Sequence, residues 1–311
     1  MRLYKLDGGR LQLLKDQGFA LEQKLQNIVE GNLETFFRLK FVKSEFVVHG
    51  SRIDTLAFDE ETSSFVIIEY KREKTSGVAD QGAFYLVLTL ENKADFVLEY
   101  LNKFPDSKLK KQDVDWSQSR VILISDSFNV HQVGAIGLRE LHTELWEAKL
   151  FENGIIGIEQ VRPLWGSSGE ASLLKGSKEL EIVAKEVKTY DLNWHFGEWS
   201  ASRELYDSLQ AGILDLGPNV TVRFTKFYIS FVDETVGKSI AEVVPQKKGL
   251  KVYLRPTIDN FQSPVLKLTD CRERGHWTNG NSFFDLSRRE DAPHALSLIK
   301  QAWDILRSGK G

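Results

Sequence analysis

The sequence F-V-I-I-E-Y-K, residues 65–71, is an apolar run that ends in an acid and a lysine. Consecutive apolar residues of high β-propensity predict a strand that is buried on both faces, as in the middle of a sheet. Because side chains alternate between the two faces of a strand, we expect Glu69 and Lys71 on one face. Ile68 and Tyr70 are expected on the other. An acid and a cation would therefore share one face at the end of a central strand.

The residues on either side of this strand add further polar groups. Upstream, Arg52–Phe58 predicts a neighbouring strand with Asp54 near its start, and the polar segment between the two strands suits a hairpin turn. Downstream, a helix is predicted from about Asp80 to Leu90. Further along the chain, residues 131–141 predict a helix and residues 220–232 a strand-rich run. Gln81 and Tyr85 lie four residues apart on one face of the helix predicted from Asp80 to Leu90. An amide and a phenol are thus expected beside the two acids.

This set of residue types is suited to binding a divalent cation. Hard cations such as Mg²⁺ prefer carboxylate oxygens, and Asp54 and Glu69 would project from adjacent strands. Such a cation lowers the pKa of a bound water and stabilises charge on a phosphoryl group. A lysine at position 71 can orient the water. Glu22, on a helix predicted to begin near Gly18, can supply a third acid.

A purely structural interpretation of the same residues stays open. Glu69 and Lys71 can form a surface ion pair at a strand end, with Asp54 in a hairpin. Glu22 can belong to the solvated face of an amphipathic helix. The choice between the two interpretations depends on whether the acids converge.

Taken together, R-I-D (residues 52–54), I-I-E-Y-K (67–71) and Q-G-A-F-Y (81–85) resemble the PD-(D/E)XK, or restriction-endonuclease-like, nuclease superfamily. The glutamine–tyrosine pair is similar to the RecB/NucS-like branch. The resemblance covers roughly Leu21 to Ser125. It implies an α/β fold with a mixed central sheet flanked by helices, dependence on Mg²⁺ or Mn²⁺, and hydrolysis of DNA phosphodiester bonds.

The resemblance also implies a role for each matching residue. Asp54 and Glu69 would be metal ligands, and Lys71 would act on the water and the phosphate. Gln81 and Tyr85 would position the phosphate backbone or support the site. The resemblance rests on their order: an Asp, then E-x-K at the end of an apolar strand, then Q-x-x-x-Y on the next helix.

Two positions match the superfamily less securely. Glu22 corresponds to the helical acid of the family, but Glu30 and Glu34 are rival candidates for that role. Ile53 stands where the superfamily name has proline, a position that varies widely among such proteins.

The alternative function is a catalytically inactive nuclease scaffold that binds nucleic acid or protein. Many such nucleases act as dimers, so a homodimer is an expectation of the resemblance, although no residue indicates one.

The second half of the chain has its own pattern of elements. We predict a nuclease-like domain over residues 1–165, a linker rich in Gly, Ser, Lys and Glu over 166–188, and a smaller α+β accessory domain over 189–311. The stretches V-V-P-Q-K-K-G-L-K-V-Y-L (243–254) and G-H-W-T-N-G-N (275–281) resemble an uncharacterised domain found appended to nuclease-like domains.

Basic and aromatic residues interleave in this second half. Cations on phosphates and aromatics on bases could bind nucleic acid, but half-buried strands with solvated charges explain the same pattern, and we favour that explanation. His276 and Trp277 could contact a ligand, or Trp277 could fill the edge of the core. The interleaved residues are Arg223, Phe224, Lys226, Phe227, Tyr228, Lys247, Lys248, Lys251, Tyr253 and Arg255.

Composition bounds the remaining possibilities. The chain has 311 residues, a formal net charge of -3 and a single cysteine, Cys271. Its length favours two domains, and one cysteine allows neither an internal disulfide nor a cysteine zinc cluster. The N-terminus has no apolar signal segment, and no run approaches the roughly 20 apolar residues that span a bilayer. We therefore expect a cytoplasmic protein with no membrane association, and the resemblance implies DNA as its partner.

Overall fold

The chain divides into two compact units. The computed structural model describes residues 1–19, 22–71, 77–135, 142–161, 182–183, 185–273 and 278–309. The first unit covers Met1–Thr189 and the second covers Tyr190–Gly311.

The first unit contains a six-stranded mixed sheet and a separate two-stranded hairpin. The strands and helices of this unit are β1 (Tyr4–Asp7), β2 (Arg10–Leu13), α1 (Glu22–Glu30), α2 (Leu33–Phe37), β3 (Lys40–Val48), β4 (Ser51–Asp59), β5 (Ser64–Lys71), α3 (Val78–Glu91), α4 (Lys93–Lys103), β6 (Arg120–Ser125), α5 (Val130–Ala135), β7 (Thr143–Leu150) and β8 (Ile156–Val161). The order of strands in the six-stranded sheet is β3-β4-β5-β6-β7-β8, in which β6 is parallel to both β5 and β7 and the other neighbours are antiparallel.

Helices cover both faces of this sheet. Phe65 and Ile67 of β5 pack into a core that includes residues of α3 and α4. Val66 and Ile68, on the opposite face, pack with residues of α1 and α2. The apolar run of β5 is therefore buried on both sides, as its sequence predicts, and the mixed α/β class is confirmed.

The strand β7 was not indicated by its sequence, T-E-L-W-E-A-K-L, because charged residues interrupt the apolar pattern. One of those charges is used in an ion pair. Arg120 of β6 contacts Glu144 at 3.1 Å and Asp59 at 2.9 Å. Of the helix predicted over 131–141, the structure describes α5, and residues 136–141 lie outside the described residues.

A glycine lets α3 approach the sheet closely. A Cβ atom built on Gly82 would lie 2.1 Å from Oγ1 of Thr143 at the start of β7, which is too close for any side chain. The helix therefore packs at this distance only with glycine at position 82. Gln81 and Tyr85 flank Gly82 on α3, so the same close contact fixes where they lie.

The second unit is an antiparallel six-stranded sheet with helices, and it matches the predicted α+β pattern. Its elements are α6 (Leu192–Phe196), α7 (Ser200–Leu214), β9 (Val220–Phe224), β10 (Ile229–Asp233), β11 (Lys238–Gln246), β12 (Gly249–Leu254), β13 (Thr269–Asp270), β14 (Ser282–Leu286) and α8 (Ala292–Arg307). The strand order is β13-β14-β12-β11-β10-β9, and α7 and α8 contribute to a core with the sheet.

The strand-rich run predicted over residues 220–232 is a hairpin. Thr225 is buried and its backbone N–H and hydroxyl both donate to the carbonyl of Tyr228, at 3.0 and 2.8 Å. These bonds reverse the chain between β9 and β10. In neither unit is a described helix long and apolar enough to cross a membrane.

The segment predicted as a linker, residues 166–188, lies mostly outside the described residues. Near its end, Val183 and Val187 are buried in the core of the first unit. The carbonyl of Lys188 also accepts a hydrogen bond from Nε2 of Gln118, at 2.8 Å. These last residues are therefore anchored to the first unit.

The close contact at Gly82 makes a testable prediction. We expect Gly82→Ala to lower the free energy of unfolding by about 1–3 kcal/mol, because the new methyl group overlaps Thr143. Thr143→Ala removes the overlapping atoms, so the double variant should recover most of that loss beyond the effect of Thr143→Ala alone. Urea unfolding of the four proteins in a double-mutant cycle measures this coupling. Additive effects of the two substitutions would contradict it.

Candidate active site

The candidate site lies where two neighbouring strands separate. The ladder between β4 and β5 ends at the pair Thr55–Ile68, although β4 begins at Ser51 and β5 continues to Lys71. The last residues of β5 remain paired with β6, with Lys71 opposite Ser125. Polar side chains from both strands can therefore enter the gap between them.

Two carboxylates fill this gap. The backbone N–H of Asp54 donates to Oε1 of Glu69 at 3.0 Å, and the N–H of Tyr70 donates to Oδ2 of Asp54 at 3.1 Å. Each acid thus accepts a backbone donor from the opposite strand after the regular ladder has ended. Nζ of Lys71 lies 4.0 Å from Oε2 of Glu69. The structure therefore brings together the three residues at the centre of the sequence prediction.

Strand β4 is irregular at Asp54. Ile53 packs into the core on the α3 side, whereas the hydroxyl of Thr55 donates to Oε1 of Glu30 on the α1 side. Residues two apart on a regular strand point to the same face, so the alternation is broken between them. Glu45 lies on β3 between the partners of Ile53 and Thr55, and its φ of 51° is in the left-handed region. Such local irregularities re-aim side chains and are common beside active sites.

Helix α3 contributes a tyrosine to the site. The hydroxyl of Tyr85 hydrogen-bonds the carboxylate of Glu69 and lies 3.5 Å from the carbonyl oxygen of Arg52. Gln81 lies one turn earlier on the same helix and is half-buried. Tyr85 therefore touches an acid of the pair, whereas Gln81 lies one turn earlier on the same stripe of α3.

Helix α1 reaches the site through Gln26, which our sequence interpretation missed. Nε2 of Gln26 donates to the carbonyl oxygen of Asp54 at 3.0 Å and lies 3.3 Å from Oε1 of Glu45. Glu22 lies one turn earlier, exposed at the first residue of the helix. The four-residue spacing from Glu22 to Gln26 places both on one helical stripe, and that spacing was the available signal.

The rival acids of the helical region lie elsewhere. Glu30 accepts hydrogen bonds from Thr55 at 2.6 Å and Gln26 at 3.0 Å, on the α1 side of the sheet. Glu34 lies exposed on α2. Within the described ranges, no three His, Cys, Asp or Glu side chains are grouped so that they could hold a metal ion together. The site has two central carboxylates, and Glu22 does not complete a triad with them.

Burial shapes the electrostatics of the pair. Removal from water raises the pKa of Asp54, and the backbone hydrogen bond from Tyr70 opposes this only in part. Burial, followed by the charge of Asp54, raises the pKa of Glu69 to about 7. Burial and the charge of Glu69 also raise the pKa of Tyr85, so its hydroxyl remains a donor. Two buried acids, one of which raises the pKa of the other, are more readily ionised together when a cation is bound.

The donor set fits a hard divalent cation. Backbone donors bond to Oδ2 of Asp54 and to Oε1 of Glu69, so neither of these two bonds uses Oδ1 of Asp54 or Oε2 of Glu69. Carboxylate oxygens of this kind are the ligands that Mg²⁺ and Mn²⁺ prefer. Glu45 is a further acid nearby, because its charge contributes to the raised pKa of Asp54.

The basic and aromatic residues of the second unit do not share one environment. Tyr228 is 2% exposed, whereas Phe227 is 37% exposed. Arg223 pairs with Glu234 at 3.4 Å, and Nζ of Lys251 lies 4.0 Å from the ring centroid of Phe283. These contacts fit the structural explanation of the pattern. His276 and Trp277 lie outside the described residues.

The raised pKa of Glu69 makes the stability of the fold depend on pH. The folded value of about 7 exceeds the ordinary value of 4.5, so between them the folded state binds more protons than the unfolded state. Stability therefore falls as pH rises through this window. Glutamine mimics the protonated acid, so we expect Glu69→Gln to gain up to about 3 kcal/mol over the wild type near pH 8 and little near pH 4.5.

Urea unfolding across this pH range in the presence of EDTA measures the difference. The groups that face Glu69 are Asp54, Lys71 and Tyr85, and all three are retained in the variant. Glu91→Gln, at the exposed end of α3, is the matched control and should follow the wild type. Parallel pH profiles for wild type and Glu69→Gln would contradict the assignment.

Two similarities connect this chain to known proteins. Residues 197–305, within the second unit, match the family described as Domain of unknown function (DUF5655). An uncharacterized protein from Haemophilus influenzae is 38% identical over 303 residues, which make up 97% of this chain and 99% of that protein. No solved structure matches the chain. The chain therefore belongs to the same family as this H. influenzae protein and carries a DUF5655 domain in its C-terminal part.

Proposed function

We propose that the first unit is a metal-dependent endonuclease of restriction-endonuclease-like fold that hydrolyses DNA phosphodiester bonds in DNA repair or defence. The observation that carries the proposal is the meeting of Asp54, Glu69 and Lys71 where β4 and β5 separate. Two carboxylates and a lysine at the ends of adjacent strands are the residue types that this chemistry requires.

Each residue has a role that its contacts allow. Asp54 and Glu69 would hold Mg²⁺ or Mn²⁺, which when bound lowers the pKa of water and neutralises charge on the phosphate. Lys71 is 27% exposed along its side chain, so its ammonium group can meet solvent and an approaching phosphate. Tyr85 holds the Glu69 carboxylate from α3. Gln81 lies on the same face of α3 as Tyr85 and would contact the phosphate backbone of the substrate.

The electrostatics of the pair supports this proposal. Burial raises the pKa of both acids, the charge of Asp54 raises that of Glu69 further, and shifts of this kind are typical of functional sites. A bound cation would relieve the repulsion and restore both acids to the ionised form. The pair is therefore better suited to cation binding than to an empty structural role.

A second candidate function is a binding module on an inactive nuclease scaffold. The observation that favours it is the lack, among the described residues, of a third acid grouped with the pair. Backbone N–H groups also occupy one oxygen of each carboxylate, as a purely structural network would require. This candidate predicts nucleic-acid binding without hydrolysis.

Cleavage assays separate the two candidates. With supercoiled plasmid and labelled oligonucleotides in Mg²⁺ or Mn²⁺, we expect cuts by the wild type. Asp54→Asn, Glu69→Gln and Lys71→Met should each lower the rate by about 10²-fold or more, because each removes a group that acts on the metal or phosphate. Glu91→Gln is the control and should keep full activity. Equal cleavage by all variants would point to a contaminating nuclease. A wild type that binds DNA without cleaving it would favour the inactive module.

Cation binding can be measured without activity. We expect Mn²⁺ to raise the midpoint of thermal unfolding of the wild type at pH near 8, because the cation binds only the folded site. The rise should be smaller in Asp54→Asn and unchanged in Glu91→Gln. Since protonation of Glu69 competes with the cation, the rise should also shrink near pH 5.5. An equal rise in Asp54→Asn would place cation binding elsewhere.

A further inference from the structure

The hairpin formed by β1 and β2 exposes an apolar face. Its register pairs Tyr4 with Leu13 and Leu6 with Leu11, so these four side chains lie on one face. They are 50%, 51%, 68% and 69% exposed, respectively. Solvated large apolar side chains normally occur singly, and a contiguous array marks an interaction surface.

The other face of the hairpin is polar. Lys5 is paired with Gln12, and Asp7 with Arg10. The turn consists of two glycines with φ of 54° and 80°, the values that favour a tight two-residue hairpin. The sequence therefore specifies a two-sided hairpin, and we call its array of Tyr4, Leu6, Leu11 and Leu13 the arm face.

The hairpin is fixed to the rest of the first unit at its base. Asp16 forms a bridge with Phe151, and its carboxylate accepts from Nζ of Lys149 at 2.9 Å. The N–H of Gln17 donates to the carbonyl of Leu150 at 2.7 Å. All eight strand residues of the hairpin are nevertheless exposed. A two-stranded hairpin is at best marginally stable alone in water, so its apolar face needs a partner to cover it.

We propose that a second copy of this chain covers the arm face, so that two hairpins pack face to face about a two-fold axis. The arm face contains no charged residue, so two copies meet without like-charge repulsion. Its array is two cross-strand pairs, and an antiparallel two-fold superposition places the Leu6–Leu11 pair of one copy on the Tyr4–Leu13 pair of the other. Such self-matching is what an isologous interface requires.

The exposed area of the arm face suits a small dimer interface. From the exposed fractions of its four residues, it presents on the order of 500 Å² of largely apolar surface, in the range of the largest patches on monomers. Two such faces bury about 1,000 Å² in total, the area at which a specific interface begins.

The charges of the hairpin lie on its polar face and do not oppose this partner. Lys5 and Asp7 lie 3.7 Å apart, and Arg10 lies opposite Asp7. Both signs are present on that face, which is directed away from the arm face, so these charges stay in water when the arm face is covered. A lipid surface would instead be matched by a uniformly basic rim.

Sedimentation velocity of the full chain tests the proposal. From about 1 to about 100 µM we expect a monomer–dimer equilibrium, since interfaces of this area reach micromolar affinity or better. Leu6→Glu/Leu11→Glu should weaken it by about 100-fold or more, because charges are buried without partners. Leu98→Glu, at a residue of α4 that is 58% exposed, is the matched control and should dimerise like the wild type.

Mixing two variants distinguishes a lost interface from a damaged hairpin. Leu6→Lys/Leu11→Lys should also be monomeric, and an equimolar mixture with Leu6→Glu/Leu11→Glu should form a heterodimer through opposite charges. A wild type that stays monomeric at about 200 µM would overturn the proposal. So would a dimer that survives both double variants, or a monomer that instead binds phosphatidylglycerol vesicles through these residues.

Discussion

The candidate site of the first unit depends on two hydrogen bonds that cross between β4 and β5, from the N–H of Asp54 to Glu69 and from the N–H of Tyr70 to Asp54. The β4–β5 ladder stops after Thr55–Ile68, and a bare separation would leave backbone N–H groups unpaired at a buried position. The two carboxylates accept those N–H groups instead. The strands can therefore diverge without unsatisfied donors, and the side chains that make the divergence possible are the same ones that create the candidate site.

The sheet around this feature is rigid because it is buried on both sides. Cores on the α3 and α1 faces hold β5 and β6, and the buried part of β5 extends to Tyr70, immediately before Lys71. Side chains anchored on packed strands keep their positions better than side chains on loops. Close contact of α3 at Gly82 adds Tyr85 to this frame. Each group at the site is thus positioned by an element that has its own packing reason to be there.

Part of this arrangement could be predicted from the sequence, because the period of two in β5 fixes which side chains share a face. The alternation places Ile68 and Tyr70 in the α1-side core, and Glu69 on the α3 side, where Tyr85 contacts it. The spacing from Glu22 indicates only the helical stripe of Gln26, whereas its contact with Asp54 depends on how α1 packs against β4. The left-handed backbone of Glu45 could not be predicted either. This residue lies on β3 opposite Asp54, where the alternation of side chains on β4 is broken. Long-range packing of this kind leaves no periodic signal in one sequence.

Stability alone does not account for the carboxylate pair. Burial raises the pKa of both acids, and the charge of Asp54 raises that of Glu69 further, so at neutral pH their ionised forms weaken the fold. A lysine 4.0 Å away offsets only part of this repulsion. Apolar or amide side chains of similar size would close the same gap with less cost, since buried charges are often replaceable without loss of stability. A destabilising pair at the buried end of a central strand is what the proposed cation site would require, since two carboxylates are ligands that a divalent cation prefers.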